Sequence, residues 1–303
     1  PMKLVISTGG GGNPQFFGLH RFLQAFGGGN FFEPGCAQCY LPRWALSKLF
    51  YGGDDQSIAD NAVQEIFKVN DNKTEIVVIW GAQPSVSETA ESGRGMAELR
   101  AAGVKTVVVD PNFSPDAVKA DVWLPVRPGT DTKLLLSWFR YIFENKLYDE
   151  AWCVKWTNLP FLVNEETMLL YHADELGLGE ATDYVVWDAN SNSAKAMPWP
   201  QDETLSPVLD GEFEVNGKKS RTAFRAVWDN CAEWTLEKTA EVTWCTPEAI
   251  EEAVKIYAEG SPHSGISIGV AIIFQDVFGL MIYMFKLWPS AILPPLMCGL
   301  LWG

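Results

Sequence analysis

The chain carries six cysteines, of which only Cys36 and Cys39, in CAQC, are close in sequence. A CxxC pair supports several chemistries. A redox disulfide wants a helix N-terminus directly after a strand, and the FFEP lead-in does not supply it well. Half of a zinc or iron–sulfur site wants a second pair. Here Cys153, Cys231 and Cys245 stand isolated and the three histidines are dispersed. One cysteine can also act alone as a soft thiolate ligand to a metal, or both can be buried thiols without a role. Among the acids, Asp110 and Asp131 fall just past apolar runs, where a carboxylate can accept hydrogen bonds from a ribose hydroxyl or the N1/N2 edge of a guanine. Asp116 and Asp121 read as solvated loop acids, and Glu88 as a first-turn acid favourable to a helix dipole. Two glycine-bearing loops complete the set. Gly9, Gly10, Gly11, Gly12 and Asn13 follow a short strand, and Gly81, Ala82, Gln83 and Pro84 follow another. Strand, Gly-rich loop and helix offer backbone N–H groups to a phosphate, although a Gly-rich loop without a ligand has the same sequence.

The elements that must position these residues are legible from periodicity. A β-branched run at 104–109 ends in Asp110-Pro111, and a second apolar run at 122–126 ends in Arg127, Pro128, Gly129, Thr130 and Asp131. EIVVIW at 75–80 is another buried strand. An amphipathic helix at 89–102 closes on Gly103, and 131–145 is again helical. This alternation implies βαβ units and a parallel sheet, an α/β fold. The start repeats the theme, with a strand at 3–7 and a helix to about 26; 41–51 has helical spacing and stops at Gly52-Gly53. From 149 to 210 the pattern loosens, with a short strand at 184–187. A hairpin is expected at 212–224 around Asn216-Gly217, then a helix capped by Thr246 and Pro247, and a strand at 265–273 returning to the sheet.

At 303 residues, 47% hydrophobic and 20% charged, the chain can bury a sizeable core and has room for two lobes. A formal net charge of -15 argues against a non-specific nucleic-acid partner. PMKLVIST shows no export signal, but position 1 is Pro, which reads as a piece of something longer. Compartment is therefore left open between the cytoplasm and the exported side of a prokaryotic membrane. The tail 274–303 is apolar and aromatic, with Pro289, Pro294 and Pro295 inside it. Its last segment, 287–303, is shorter than a spanning helix needs, so membrane contact is expected, if anywhere, only through this tail.

IVVIWGAQPSVSE (76–88), VVVDPNFSPDAVKADVWLPVRPGTD (107–131), ENKLYDEAWCVKWTNLPFLV (144–163) and the hairpin with its following helices (211–259) occur in this order. In that combination the chain resembles the molybdopterin-dependent oxidoreductases of the dimethyl sulfoxide reductase family, over residues 1 to about 271. The segment WTNLPFLV (156–163) further resembles the branch containing acetylene hydratase and the gut catechol dehydroxylases.

The resemblance implies a small-molecule substrate and redox, oxygen-atom or hydroxyl transfer, including dehydroxylation or hydration. The cofactor would be molybdenum or tungsten held by two molybdopterin guanine dinucleotides. The family's metal ligand lies about 13 residues before a helix-closing glycine; Cys39 stands at that distance from Gly52, making it the implied ligand and catalytic residue. Tyr40 stands where formate dehydrogenases place a His, which speaks against formate. Asp131 and Gly129 in PGTD would meet a guanine. Asp110 and Pro111 would sit on the nucleotide at a strand end, unless neighbouring backbone groups hold Asp110 instead. Gly9, Gly10, Asn13, Gly81, Gln83 and Pro84 would contact phosphates or pterins.

The implied architecture is two lobes with parallel sheets and flanking helices, the second inserted into the first. Residues 1–35 plus 240–271 would form the first lobe and 36–239 the second, with 272–303 an atypical tail. The family's iron–sulfur segment, which holds a 4Fe-4S cluster and passes electrons to an iron–sulfur subunit, and its cofactor-capping domain are expected outside this sequence. After Gly269, Val270 and Ala271 the family's polar helix is replaced by apolar residues, which a reading-frame change near 272 would explain; resequencing the gene tests it. Two alternatives accompany this reading. One is a nicotinamide-dependent dehydrogenase, disfavoured because no spaced GxGxxG is present. The other is an inactive truncated remnant that binds no metal.

Overall fold

The computed structural model describes residues 3–7, 14–28, 30–32, 74–87, 92–198, 200–261 and 263–268. Its centre is a four-stranded parallel sheet, in the order β11, β3, β4, β5. The strands are β3 Ile76–Trp80, β4 Lys105–Val109, β5 Val122–Leu124 and β11 Ser264–Ile268. β3 is buried along its whole length, which is why its sequence is a continuous apolar run without alternation. Its residues nevertheless serve two different cores. Val77 and Ile79, with Val108, pack on Met96 and Leu99 of α3, Ser92–Ala101. Val78 and Trp80, with Val107 and Val109, face α4 Asp131–Glu144 and α8 Pro247–Glu259 through Leu134, Trp138, Ile250 and Tyr257. Each fully buried aliphatic side chain stabilises the fold by about 2 kcal/mol.

The local signals explain the boundaries. Gly103, at φ +84°, ends α3 in a left-handed conformation that only glycine adopts without strain. The Thr246 hydroxyl accepts from Ala249 N–H and Pro247 occupies the first turn, so α8 begins where the sequence places it. Gly260 ends α8 against β3: a Cβ there would lie 2.2 Å from Ile76 Cδ1.

At the start of the chain, β1 Val5–Ser7 and β2 Asn30–Phe32 pair in parallel around α1 Pro14–Phe26. After α4 comes α5 Glu150–Trp156, followed by a largely antiparallel region. It holds a sheet of β6 Leu162–Asn164, β10 Lys218–Thr222 and β9 Glu212–Val215, and a hairpin of β7 Tyr184–Asp188 and β8 Ser193–Met197. The β9–β10 turn uses Asn216 at φ +52° and Gly217 at φ +78°, the conformation for which Asn-Gly is suited. Helices α6 Ala223–Cys231 and α7 Leu236–Thr243 lead into α8. The remaining short helix, α2 Pro84–Ser87, follows β3.

β11 pairs with β3 in register Ile266 to Val78, and α8 buries Ile250, Val254 and Tyr257 against the same core as α4. Residues 247–268 therefore share sheet and core with 76–143. Within 149–210 the sequence suggests one strand; β7 finds its partner in β8, whose SAKAM has little strand character, through backbone pairing across a tight turn. The tail beyond 268 lies outside the described residues.

Candidate functional site

Parallel strands in register send their carboxyl ends to one edge. Here that edge gathers Trp80 and Gly81 after β3, Asp110 after β4, and the loop from Pro125 to Asp131 after β5. Gly81 adopts φ +63°, and its N–H donates to Val109 O at 2.9 Å, which turns the chain back over the end of β4. Gln83 follows, and its Nε2 donates to Asp110 Oδ2 at 3.0 Å. The other oxygen, Asp110 Oδ1, accepts from Asn112 N–H at 2.8 Å. Asp110 is buried and ties the loop after β3 to the loop after β4, with both carboxylate oxygens given protein donors. Its carbonyl accepts from Trp123 Nε1 at 2.8 Å.

Asp131 occupies the first turn of α4, where the helix dipole favours an anion. It is 8% exposed, and Trp80 Nε1 donates to its Oδ1 at 2.8 Å. A buried indole N–H needs an acceptor, so Trp80 and Asp131 solve one another's problem. Behind this pair, Trp80, Trp138 and Tyr257 form a column with centroid spacings of 5.3 and 5.7 Å. The preceding turn is closed by Thr130 N–H and Oγ1, both donating to Arg127 O, with Gly129 at φ +84°. Arg127 N–H donates to Thr243 O at 2.7 Å, which brings the α7–α8 junction to the same edge.

Pro84 is buried at the start of α2, and Pro111 is exposed after Asp110. Thus Gly81, Gln83, Pro84, Asp110, Pro111, Gly129 and Asp131 are gathered at one edge of the sheet. Cys39, Gly9, Gly10 and Asn13 lie outside the described residues, as do Cys36, Gly52 and Glu88. Among the described residues no group of three or more His, Cys, Asp or Glu is arranged to hold a metal ion. A shallow depression bounded by Thr74, Gly103, Lys105 and Gly260 lies at the opposite, amino-terminal edge, away from both carboxylates.

One expectation needs correction. Asp116 is not a solvated loop acid: it is fully buried, and accepts from Ser85 N–H at 3.0 Å, Ser85 Oγ at 2.5 Å and Arg100 at 3.1 Å. Asp121, although exposed, holds Thr106 N–H at 2.7 Å, capping the amino end of β4. Asp116 clamps α2, and hence the end of the Gly81–Pro84 loop, to the segment after β4. The only signal for it in sequence was position, between a strand and a short turn. Trp80 was the other omission, and it was findable: a Trp closing a buried strand must send its N–H to an acceptor.

The described cysteines, Cys153, Cys231 and Cys245, are free and buried. Burial pushes the thiols of Cys153 and Cys245 up to about 11 and that of Cys231 up to about 12. The negative charge of Asp131 adds to the effect at Cys245, another sign that the α7–α8 junction stands beside that carboxylate. Such thiols are held in the neutral form at neutral pH and are poor nucleophiles.

Comparisons with known proteins place the chain in a family. A Halobacterium salinarum protein, provisionally named as a catalytic chain of dimethyl sulfoxide reductase, is 32% identical over 210 residues, covering 68% of this chain and 25% of its own. The dopamine dehydroxylase of Eggerthella lenta is 26% identical over 268 residues, covering 61% of this chain and 26% of its own. The chain thus spans about a quarter of the length of these relatives. Among solved structures, acetylene hydratase from Pelobacter acetylenicus aligns over 86% of this chain and 25% of its own, at 18% identity and a TM-score of 0.45. The molybdopterin oxidoreductase family model matches residues 3–280, and the chain belongs to that family of enzymes.

Proposed function

We propose that this chain forms part of the cofactor-holding core of a molybdenum or tungsten enzyme, and that Asp131 accepts the Watson–Crick edge of a guanine. One observation carries the reading: a carboxylate fixed by an indole N–H in the first turn of a helix, just beyond the carboxyl end of a parallel strand. A carboxylate only accepts hydrogen bonds. Guanine offers it two donors, N1–H and N2–H, whereas adenine presents an acceptor at N1. The residues present thus fit the nucleotide end of a molybdopterin guanine dinucleotide.

Gly81, Gln83 and Pro84 form the adjacent loop, and Asp110 orients that loop through Gln83. Gly9, Gly10 and Asn13 are assigned to phosphates or pterins on the family resemblance, and Cys39 to the metal on its spacing to Gly52. When bound, the metal centre supplies oxygen-atom or hydroxyl transfer, with dehydroxylation or hydration as the variants nearest the WTNLPFLV segment. The chain's own residues bind and orient that centre. Electron transfer through a 4Fe-4S cluster and an iron–sulfur subunit belongs to the same proposal, supported by a relative whose name marks it as one chain of a larger enzyme.

The test is expression together with the cofactor-insertion machinery, followed by elemental analysis and quantitation of acid-released guanine nucleotide. Metal and guanine nucleotide are expected together, with Asp131→Ala losing the nucleotide and Cys39→Ala perturbing the metal. A soluble, folded protein holding neither would sink the proposal.

A further inference from the structure

Trp244 lies at the α7–α8 junction in a left-handed conformation, φ +69° and ψ -3°. A bulky side chain in this region is a genuine outlier, since its Cβ crowds the backbone. Strain of this kind persists where something repays it. Burial does not do so here: the Trp244 side chain is 64% exposed, while Thr243 and Cys245 on either side are buried. Nor do contacts, since among the described residues the indole makes no hydrogen bond and no ring contact. The folded chain would be better served by glycine.

Topology says where it is held. α8 starts at this junction and ends at Gly260 against Ile76, the amino end of β3, so it runs the full depth of the sheet against the strand direction. The junction accordingly stands at the carboxyl edge. Thr243 O accepts Arg127 N–H at 2.7 Å, joining it directly to the loop that delivers Asp131. An exposed indole and an anchored carboxylate thus flank one edge of the sheet. That pairing suits a planar base, with one group reading its edge and the other covering its face.

We propose that Trp244 is a stacking platform for the purine whose edge Asp131 accepts, and that ligand binding is what retains a strained aromatic residue at a position suited to glycine. The proposal rests on the guanine reading of Asp131. An indole face against a base strengthens binding without reading its sequence of donors, so Trp244 adds affinity while Asp131 supplies specificity.

The experiment uses the full chain, GDP as probe and ADP as control. Titration calorimetry measures binding, and thermal unfolding without nucleotide measures stability. Trp244→Gly is expected to weaken GDP binding by about tenfold, about 1.4 kcal/mol. It is also expected to raise the unfolding temperature by a few degrees, because the strain is relieved. Trp244→Phe should retain most of the affinity. A merely structural Trp predicts the reverse, so a Trp244→Gly protein that is less stable yet binds GDP normally overturns the inference. Unchanged GDP affinity in Trp244→Gly, with binding abolished in Asp131→Ala, also overturns it while leaving the guanine reading intact; a different cover for the ring would then be indicated. If the unaltered chain fails to bind GDP at millimolar concentration, the guanine reading falls first and this inference with it.

Discussion

Asp116 has no exposure to solvent, and its carboxylate accepts from Ser85 N–H, Ser85 Oγ and the Arg100 guanidinium. Removing it leaves those donors without their acceptor. Asp116→Ala is expected to destabilise the protein by about 3 kcal/mol, measured by urea unfolding, and Ser85→Ala by about 1 kcal/mol. Asp188 makes a different prediction. Hydrogen bonds from Ser191 Oγ, Ser206 N–H and Ser191 N–H draw its carboxyl down to about 2, from an ordinary value of 3.8. A depressed folded-state value stabilises above the unfolded value, and the contribution is lost as pH falls from about 3.8 through about 2. In an acid titration, Asp188→Asn should show a shallower loss of stability across that window than the unaltered protein. These acids also mark what sequence could and could not say. Asp131 and Asp110 announce themselves by following buried strands. Asp116 does not, because its partners are 31 and 16 residues away and nothing local distinguishes it from a loop acid.

The elements whose signals are local were legible. β3 and β4 are continuous β-branched runs, the β9–β10 hairpin carries Asn-Gly, and α8 carries Thr-Pro, so each could be placed before any tertiary contact was known. Elements that depend on a partner were not. β8 is a strand because β7 is beside it; β11 is expected from the sequence as a strand returning to the sheet, but its pairing with β3 in particular comes from the fold. α8 itself offers two tests. Thr246→Ala removes the hydroxyl that accepts Ala249 N–H, and should cost about 1 kcal/mol in chemical denaturation. Gly260→Ala places a methyl 2.2 Å from Ile76 Cδ1, so the Ile76 side chain must move or the end of the helix must shift, at an expected cost of about 2 kcal/mol. Its crystal structure or an NMR comparison should show the displacement concentrated at Ile76 and the end of α8.

At the scale of the molecule, a net charge of -15 over 303 residues opposes compactness. Raising sodium chloride from low ionic strength to about 0.5 M should raise the unfolding temperature, because mobile ions screen that repulsion. The central sheet also sets where the chain can be cut. Ending it at residue 239 cuts into α7 and removes α8 and β11, baring Trp138 and one edge of β3, so the shortened chain should aggregate more readily than the unaltered one. The pairing of Val77 with Gly265 has a consequence in time as well as space. The two residues are 188 positions apart, so at about 5–20 residues per second a ribosome delivers β11 roughly 10 to 40 seconds after β3. During that interval a wholly apolar strand has one hydrogen-bonding edge without its native neighbour. The yield of folded chain is expected to rise with chaperone supply, which would shield IVVIW through that interval.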